Sequence, residues 1–453
     1  MSESTIAAIA TPPGEGGIGI VRISGPEAFA VADRVFDSVS HKKTAEIPGY
    51  TALFGRVKNN HGVLDEGVAL VFRAPKSYTG EDTVELMVHG GNLLLRQVLR
   101  AALDAGAEPA DRGEFSKRAF CNGKMDLTKA ESIMGLISAE SESSLRLYTA
   151  SYLGTTAREI EKIEQDLLEA DASIATYSDY PEEYLPELSE PVFLRLLTQP
   201  EQRLNDLISS YRNGRILRRG IETAIVGKPN VGKSTLMNLL SGSARSIVTD
   251  VAGTTRDVIE ETVLLGDLTL KLADTAGIHE TADTVEAVGV SLAKERLKTA
   301  DLVLAVFDLS VEPDDDDRAL AESLKGKNAV VLLNKSDVKA SADYSFLRPL
   351  PRVEISAKTG EGLERLEEAV KKAVHLGQID PDAAMLNNER QYNCALKAQS
   401  SLEEAIRALQ SGMTLDAVGV CVDDALAALF RLTGKQVTAE VADEIFRRFC
   451  VGK

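Results

Sequence analysis

One short segment, residues 227–234, constrains this chain more than any other. Its sequence, Gly-Lys-Pro-Asn-Val-Gly-Lys-Ser, follows an apolar, strand-like run at 221–226 and precedes residues 235–240, which have the apolar spacing of a helix start. Strand, G-x-x-x-x-G-K-[ST] and helix in this order predict a phosphate-binding loop. The glycines let backbone N–H groups curl around an anion, and the helix N-terminus adds partial positive charge. We expect Lys233 to reach the β- and γ-phosphates and Ser234 to ligate Mg²⁺.

Length and composition set limits on the rest of the chain. At 453 residues it is too long for one core, and about two to four domains are expected. Its hydrophobic content of 44% and charged content of 26% are those of an ordinary soluble protein, and no uncharged apolar run approaches the ~18 residues of a membrane span. No secretory signal is visible, and the cysteines and histidines form no disulfide or zinc pattern. These features predict a cytoplasmic protein.

The net charge of −18 argues against a protein that coats nucleic acid through phosphate neutralisation alone. It leaves room for a local basic patch, because Arg212, Arg215, Arg218 and Arg219 lie just before the phosphate loop. A solvated helix face is the simpler explanation of this cluster.

Two further motifs follow apolar strands downstream of the phosphate loop. Asp274-Thr275-Ala276-Gly277 comes after the run 268–273, which would place Asp274 near Mg²⁺ and Gly277 near the γ-phosphate. Asn334-Lys335-Ser336-Asp337 follows the apolar run 329–333. This motif is expected to select the base of the bound nucleotide. Guanine offers two N–H donors to one carboxylate, whereas adenine has no matching pair. A carboxylate at Asp337 could thus discriminate between the bases by roughly 10⁴-fold.

Ser356-Ala357-Lys358 follows a last short strand and supplies a further loop on the side of the base. Four motifs in this order and spacing predict GTP binding. The residues expected to contact the nucleotide are Asn230, Val231, Gly232, Lys233, Ser234, Thr235, Thr249, Asp250, Val251, Ala252, Gly253, Thr254, Thr255, Asp274, Thr275, Ala276, Gly277, Asn334, Lys335, Asp337, Ser356, Ala357 and Lys358.

Two positions depart from the Ras-type pattern. Where Ras-type GTPases place a water-orienting Gln, this chain has Ile278, so another group must orient water or hydrolysis will be very slow. The candidates are the acids downstream, Glu280, Asp283 and Glu286. Asn230 brings an amide oxygen close to the phosphates, where a monovalent cation could supply positive charge. A side-chain to backbone hydrogen bond within the loop is the alternative role of Asn230.

Patterning along the chain predicts an N-terminal α+β domain, a discontinuous helical domain and an inserted Ras-like P-loop G domain. In residues 1–118, apolar and polar residues alternate as they do in strands. Asn92 is expected to cap a helix over 93–105. Residues 119–219 and 377–453 have helical spacing and flank the α/β block of 220–376. Four prolines between 181 and 200 interrupt the first helical part, and its last helix is expected to resume near residue 202.

The segment 249–257, Thr-Asp-Val-Ala-Gly-Thr-Thr-Arg-Asp, together with the phosphate loop, resembles the tRNA-modifying GTPases usually called MnmE or TrmE. The resemblance covers the whole chain. It is carried at the N-terminus by residues 11–14, 21–25, 79–82, 89–91, 112–116 and 124–127. At the other end, Cys450-Val451-Gly452-Lys453 is similar to the family's terminal C-x-G-K signature.

The resemblance implies an activity and a folate site. With a flavin-dependent partner usually called MnmG or GidA, in a heterotetramer, the family adds a (carboxymethyl)aminomethyl-type group at C5 of the wobble uridine of certain tRNAs. Its N-terminal domain binds a 5-formyl- or 5,10-methylene-tetrahydrofolate donor and mediates constitutive homodimerisation. The family's folate positions map onto Arg22, Glu85, Lys124 and Lys453.

The resemblance also implies a K⁺-dependent dimerisation of G domains across the nucleotides. The family's cation ligands match Asn230 and the backbone carbonyls of Thr249, Val251 and Thr254, and its Mg²⁺ ligands match Ser234 and Thr255. The acid that orients the attacking water through a bridging water matches Glu286. Lys233 and Glu286 are therefore the catalytic candidates in this block. Cys450 is a third, and it could be nucleophilic or merely packed beside its neighbours.

Two other functions remain compatible with the motifs. A ribosome-assembly GTPase would not bind folate. A folate titration of residues 1–118 therefore distinguishes it from a tRNA-modifying GTPase of the MnmE type. A nucleotide-gated scaffold would bind GTP without turning it over, and GTPase rates compared in K⁺ and Na⁺ would reveal it. A membrane transport GTPase is disfavoured, since no segment is long enough to span a bilayer.

Overall fold

The computed structural model describes residues 4–179, 190–243, 260–273, 300–338, 343–376 and 379–453. The chain forms two compact units. Unit 1 contains Met1–Met134, Ala157–Leu204 and Glu389–Lys453, and unit 2 contains Gly135–Thr156 and Asn205–Asn388. Among the described residues, no helix combines the length and the apolarity that crossing a membrane would require. The domain boundaries expected from the sequence remain a prediction.

The strands and helices alternate in a way that matches the predicted mixture of α+β, helical and α/β parts. The strands are β1 Ile6–Ile9, β2 Gly16–Ser24, β3 Phe36–Ser38, β4 Thr51–Asn59, β5 Gly62–Phe72, β6 Thr83–Gly90, β7 Glu108–Pro109, β8 Ile221–Val226, β9 Glu260–Leu265, β10 Leu268–Ala273, β11 Leu302–Asp308, β12 Ala329–Asn334 and β13 Arg352–Glu354. The helices are α1 Ala28–Val35, α2 Asn92–Asp104, α3 Glu114–Cys121, α4 Leu127–Ser138, α5 Glu142–Tyr152, α6 Thr155–Asp179, α7 Glu190–Asn213, α8 Arg215–Arg219, α9 Lys233–Ser243, α10 Asp315–Ser323, α11 Leu363–Ala373, α12 Glu389–Gln410, α13 Leu415–Thr433 and α14 Ala439–Phe446.

The sheet of unit 1 has the order β3-β4-β5-β6-β2-β1-β7. Its core face is apolar because alternate residues of each strand point the same way, as Val84, Leu86 and Val88 do in β6. The other face of β6 carries Glu85, which lies directly opposite Arg22 of β2 in the antiparallel register. The sheet thus places a charged pair on its polar face.

The expectation that Asn92 caps α2 was wrong. The helix begins at Asn92, its N-cap is Gly91, and there is no side-chain cap. The Asn92 Oδ1 atom instead accepts a hydrogen bond from the Gly14 N–H at 3.0 Å. A partner 78 residues away therefore takes the oxygen that a local cap would have used.

The expected restart of the helix near residue 202 was also wrong. Helix α7 runs from Glu190 to Asn213 with Pro200 inside it. A proline in a helix costs about 3 kcal/mol through the lost hydrogen bond and the ring clash. Buried side chains continue along one face on both sides of it, including Phe193, Leu197 and Leu204. Each buried side chain of this size contributes ~1.5–3 kcal/mol, so together they offset the proline.

Unit 2 is built on a sheet of order β13-β12-β11-β8-β10-β9. All its pairs are parallel except that of β10 with the edge strand β9. Every residue of β11 is buried, as expected for a central parallel strand covered on both faces. The carboxyl ends of β8, β11 and β12 meet at one edge of the sheet, where open α/β sheets bind ligands.

Candidate nucleotide-binding site

The phosphate-loop segment connects β8 to α9 as the sequence predicted. Gly227 has φ +153° and Gly232 has φ +102°, a conformation that disfavours other residues. A Cβ atom on Gly232 would lie 2.2 Å from the Asn334 side-chain nitrogen. Asn230 is exposed and left-handed, with φ +65°. The loop thus requires both glycines.

The Lys233 side chain is hydrogen-bonded to the backbone of this loop. Its Nζ donates to the main-chain oxygens of Gly227 at 2.8 Å and Lys228 at 2.7 Å. Burial lowers the pKa of Lys233. Ser234 and Thr235 are exposed in the first turn of α9. A half-buried ammonium beside a helix N-terminus is an arrangement that favours an anion.

Asn334 joins the loops at the edge of the sheet. The side chain is 2% exposed. Its Nδ2 donates to the main-chain oxygen of Val231 at 2.7 Å, and its Oδ1 accepts the N–H of Ala357 at 2.9 Å. One buried amide therefore fixes the phosphate loop and the loop after β13 to the end of β12.

Asp337 carries an exposed carboxylate at this edge of the sheet. Ser356, which is fully buried, donates from its hydroxyl to Asp337 Oδ1 at 2.7 Å. The Thr359 N–H donates to the same hydroxyl oxygen at 3.2 Å. Lys358 is exposed nearby in sequence. The carboxylate is thus oriented from one side and keeps accepting capacity for two N–H donors.

Lys335 has a partner that the sequence did not suggest. Its Nζ lies 2.5 Å from Asp308 Oδ2, at the end of β11. Burial alone would raise the pKa of Asp308, but hydrogen bonds from Lys335 and Ser310 outweigh it and lower that pKa. The Tyr344 hydroxyl donates to the main-chain oxygen of Asp308 at 3.0 Å, and burial raises the pKa of Tyr344 to about 12. Asp308 therefore fixes the lysine of the base motif.

These features fit a guanine nucleotide. The glycine turn and Lys233 would hold phosphates, and Asp337 would accept the two N–H groups of the base. Ser234 and Asn230 carry the oxygens expected to face metal ions. The other predicted members of the site lie outside the described residues, and their roles stay predictions: Thr249, Asp250, Val251, Ala252, Gly253, Thr254, Thr255, Asp274, Thr275, Ala276, Gly277 and Glu286.

Three of the four residues matched to folate binding lie in one neighbourhood of unit 1. Arg22 Nε donates to Glu85 Oε1 at 2.8 Å, and Arg22 Nη1 donates to the main-chain oxygen of Gly452 at 3.3 Å. Burial and the nearby charge of Arg22 lower the pKa of Lys453. The Arg22 guanidinium also lies 5.5 Å from the ring centres of Tyr78 and Phe115. Cationic and aromatic groups thus converge here.

Lys124, the fourth of these residues, donates from Nζ to the main-chain oxygen of Pro75 at 2.8 Å. Cys450 is exposed. The tail 449–453 is held against α3: the N–H of Gly113 donates to Cys450 O at 3.2 Å, and the N–H of Phe115 donates to Lys453 O at 3.1 Å.

The arginines before the phosphate loop have structural partners. Arg215 pairs with Asp301. Arg218 donates to the main-chain oxygen of Leu386 at 3.2 Å and stacks 4.2 Å from the centre of the Tyr211 ring. Burial lowers the pKa of Arg218 to about 10. These two arginines stabilise unit 2, so the cluster is not simply a solvated face.

Comparison with known proteins covers the chain from end to end. The family model for the N-terminus of the GTP-binding protein TrmE matches residues 5–124, and that for the MnmE helical domain matches residues 127–450. The tRNA modification GTPase MnmE of Listeria welshimeri is 40% identical over 459 residues, covering 100% of both chains. That of Clostridioides difficile is 38% identical over 456 residues, covering 100% of this chain and 99% of the relative.

A solved structure is similar over a smaller part. The G domain of the T. maritima FeoB iron transporter is 28% identical and covers 34% of this chain and 98% of its own, with a TM-score of 0.26. The full-length matches are what decide the assignment. This chain belongs to the MnmE family of tRNA modification GTPases.

Proposed function

We propose that this chain is a GTP-hydrolysing enzyme of tRNA modification. With a flavin-dependent partner of the MnmG type, it would add a (carboxymethyl)aminomethyl group at C5 of the wobble uridine of certain tRNAs. The one-carbon donor would be 5-formyl- or 5,10-methylene-tetrahydrofolate. Hydrolysis would use Mg²⁺ and be stimulated by K⁺ when two G domains meet. The chain would act in the cytoplasm as a homodimer joined through its N-terminal domain.

Full-length membership of the MnmE family carries this proposal, and the geometry of unit 2 supports it. Lys233 and the glycines of the loop suit phosphates, and Asp337 with Ser356 suits guanine. Hydrolysis then needs a group that orients water, because Ile278 cannot do so. We assign that role to Glu286, with K⁺ held by Asn230 and the carbonyls of Thr249, Val251 and Thr254.

The residues around Arg22 support the proposal that this chain binds a folate. A tetrahydrofolate carries a flat ring system and a glutamate tail with two carboxylates. Tyr78 and Phe115 offer aromatic faces, and Arg22 and Lys453 offer positive charge. Glu85 would accept hydrogen bonds from the ring N–H groups of the donor. Titration of the purified full chain with 5-formyl-tetrahydrofolate, alongside Arg22→Gln as the matched variant, tests this part.

The decisive experiment compares tRNA nucleosides from cells with and without this chain. Loss of the C5-modified wobble uridine on deletion, restored by the unaltered chain, is the expected result. Unchanged wobble uridines would overturn the proposal. A GTPase assay in K⁺ and in Na⁺ accompanies it. Hydrolysis faster in K⁺ is expected, and a rate no higher than background in K⁺ would instead point to a nucleotide-gated scaffold.

A further inference from the structure

Lys228, the second residue of the phosphate loop, is held by two carboxylates at the start of α10. Its Nζ lies 2.6 Å from Asp314 Oδ2 and 2.9 Å from Asp317 Oδ2. The two aspartates form a capping box: Asp314 Oδ1 accepts the N–H of Asp317 at 3.2 Å, and Asp317 Oδ2 accepts the N–H of Asp314 at 3.1 Å. We call Asp314 and Asp317 the acidic clamp. Both aspartates are thus held at the start of α10 by backbone hydrogen bonds as well as by Lys228.

The clamp acts on the stretch of backbone that holds Lys233. The main-chain oxygens of Gly227 and Lys228 are the two acceptors of the Lys233 ammonium. Gly227 is pressed against β11, since a Cβ atom there would lie 2.4 Å from Val306 O. The backbone before Lys228 is therefore fixed by packing and its side chain by the clamp. A displaced Lys228 would move an acceptor of Lys233.

Charge reinforces this arrangement. Asp317 is almost completely buried, with a side chain 4% exposed, so an ion pair there is weakly screened by solvent. Without Lys228, two carboxylates beside an anion-binding loop would go uncompensated. Hydrogen bonds between ionised groups are also about twice as strong as those between neutral ones. Lys228 thus both anchors the loop and neutralises charge of the wrong sign for phosphate.

We propose that Lys228, fixed by the acidic clamp, is a positioning residue for Lys233 and hence for the β-phosphate of a bound nucleotide. This inference rests on the proposed binding of guanine nucleotides at this loop. Lys228 acts through the backbone, because its own ammonium is occupied by the clamp. Besides the link through Asn334, the base end of the site has contacts of its own, from Asp308 to Lys335 and from Ser356 to Asp337.

The test compares two nucleotides in the full chain. GDP and GMP are made to compete with a fluorescent GDP for the unaltered chain, Lys228→Gln and Lys228→Arg. In Lys228→Gln, GDP affinity is expected to fall about tenfold, while GMP affinity, which involves no β-phosphate, changes by less than about twofold. Lys228→Arg should restore GDP affinity, because a guanidinium can donate to both carboxylates. Thermal unfolding midpoints report on folding.

A matched control lies at the other end of α10. Lys325 pairs with Glu322, and both side chains are exposed, so Lys325→Gln should leave both affinities unchanged. Equal GDP affinity in Lys228→Gln and the unaltered chain, or an equal loss for GDP and GMP, would overturn the proposal. If Lys228→Gln fails to fold, Asp317→Asn is read by the same two criteria. Absence of GDP binding by the unaltered chain would overturn the proposed nucleotide site itself.

Discussion

The side-chain amide of Asn334 donates to the main-chain oxygen of Val231 at 2.7 Å, across 103 residues of sequence. The same side chain accepts the N–H of Ala357, so it ties together the phosphate and base ends of the site. Asn334→Ala should leave a buried oxygen and a buried N–H without these partners. We expect a loss of ~1–3 kcal/mol in the free energy of unfolding, and weaker GDP binding. Asn328→Ala is the control for urea unfolding. It removes an exposed hydrogen bond, from the Asn328 side-chain amide to the main-chain oxygen of Asp301 at 3.3 Å, and should change the free energy of unfolding little.

Asp337→Asn should change which base is bound. An amide offers one donor and one acceptor where the carboxylate offers two acceptors, so it mismatches guanine and suits xanthine, which has an oxygen in place of the exocyclic amine. We expect GTP affinity to fall roughly 10²-fold or more and XTP affinity to rise. Competition binding with both nucleotides measures this. Unchanged GTP affinity would mean that the base is recognised elsewhere.

Glu286→Ala should slow hydrolysis without loosening nucleotide binding. If this carboxylate orients water in K⁺, its removal should lower kcat by about 10²-fold. GDP affinity should be unaffected, because the role concerns water and not the nucleotide. Single-turnover GTP hydrolysis in K⁺ measures the effect, with Glu280→Ala as the control. An equal loss in Glu280→Ala would contradict the assignment to Glu286.

The ion pair of Asp308 with Lys335 should make stability depend on pH in the acid range. The pKa of Asp308 in the folded chain is below its ordinary value of 3.8. The pair therefore contributes stability that is fully present above about pH 4 and is lost as pH falls through the folded-state pKa. Asp308→Asn should be less stable than the parent at pH 7 and lose less on going to pH 3. Urea unfolding at both pH values checks this, with the exposed Glu322→Gln as control.

Removal of residues 450–453 should destabilise unit 1. Gly113 and Phe115 are both buried, and their N–H groups donate to Cys450 and Lys453. Leaving these donors without partners should lower the free energy of unfolding by ~1–3 kcal/mol each. The control is Cys450→Ser, which keeps the main-chain oxygens. A chain lacking the four residues but as stable as the parent would contradict the prediction.

The sequence predicted those parts of the structure that local pattern determines. The phosphate loop between β8 and α9 was predicted because the glycines, the lysine and the flanking apolar runs are adjacent in the chain. The strand carrying Glu85 was predicted because its alternation has a period of two. The fold class was confirmed for the same reason.

Contacts between distant segments could not be predicted in this way. The bonds of Asn334 to Val231 and of Asp308 to Lys335 depend on which strands are neighbours in the sheet. The sequence contains an acidic run at 314–317, but its partner Lys228 lies 86 residues or more before it, so local pattern could not connect the two. Asn92 and Pro200 were misjudged because tertiary contacts outweighed local preference: Gly14 took the oxygen of Asn92, and burial offset the proline.

The attachment of the tail to α3 has a consequence for how the protein is made. Arg112 donates to the main-chain oxygen of Phe449, a partner that is translated 337 residues later. The N–H groups of Gly113 and Phe115 therefore lack these acceptors until residues 450 and 453 have been translated. Unit 1 therefore gains these contacts only long after the strands of its sheet have been synthesised.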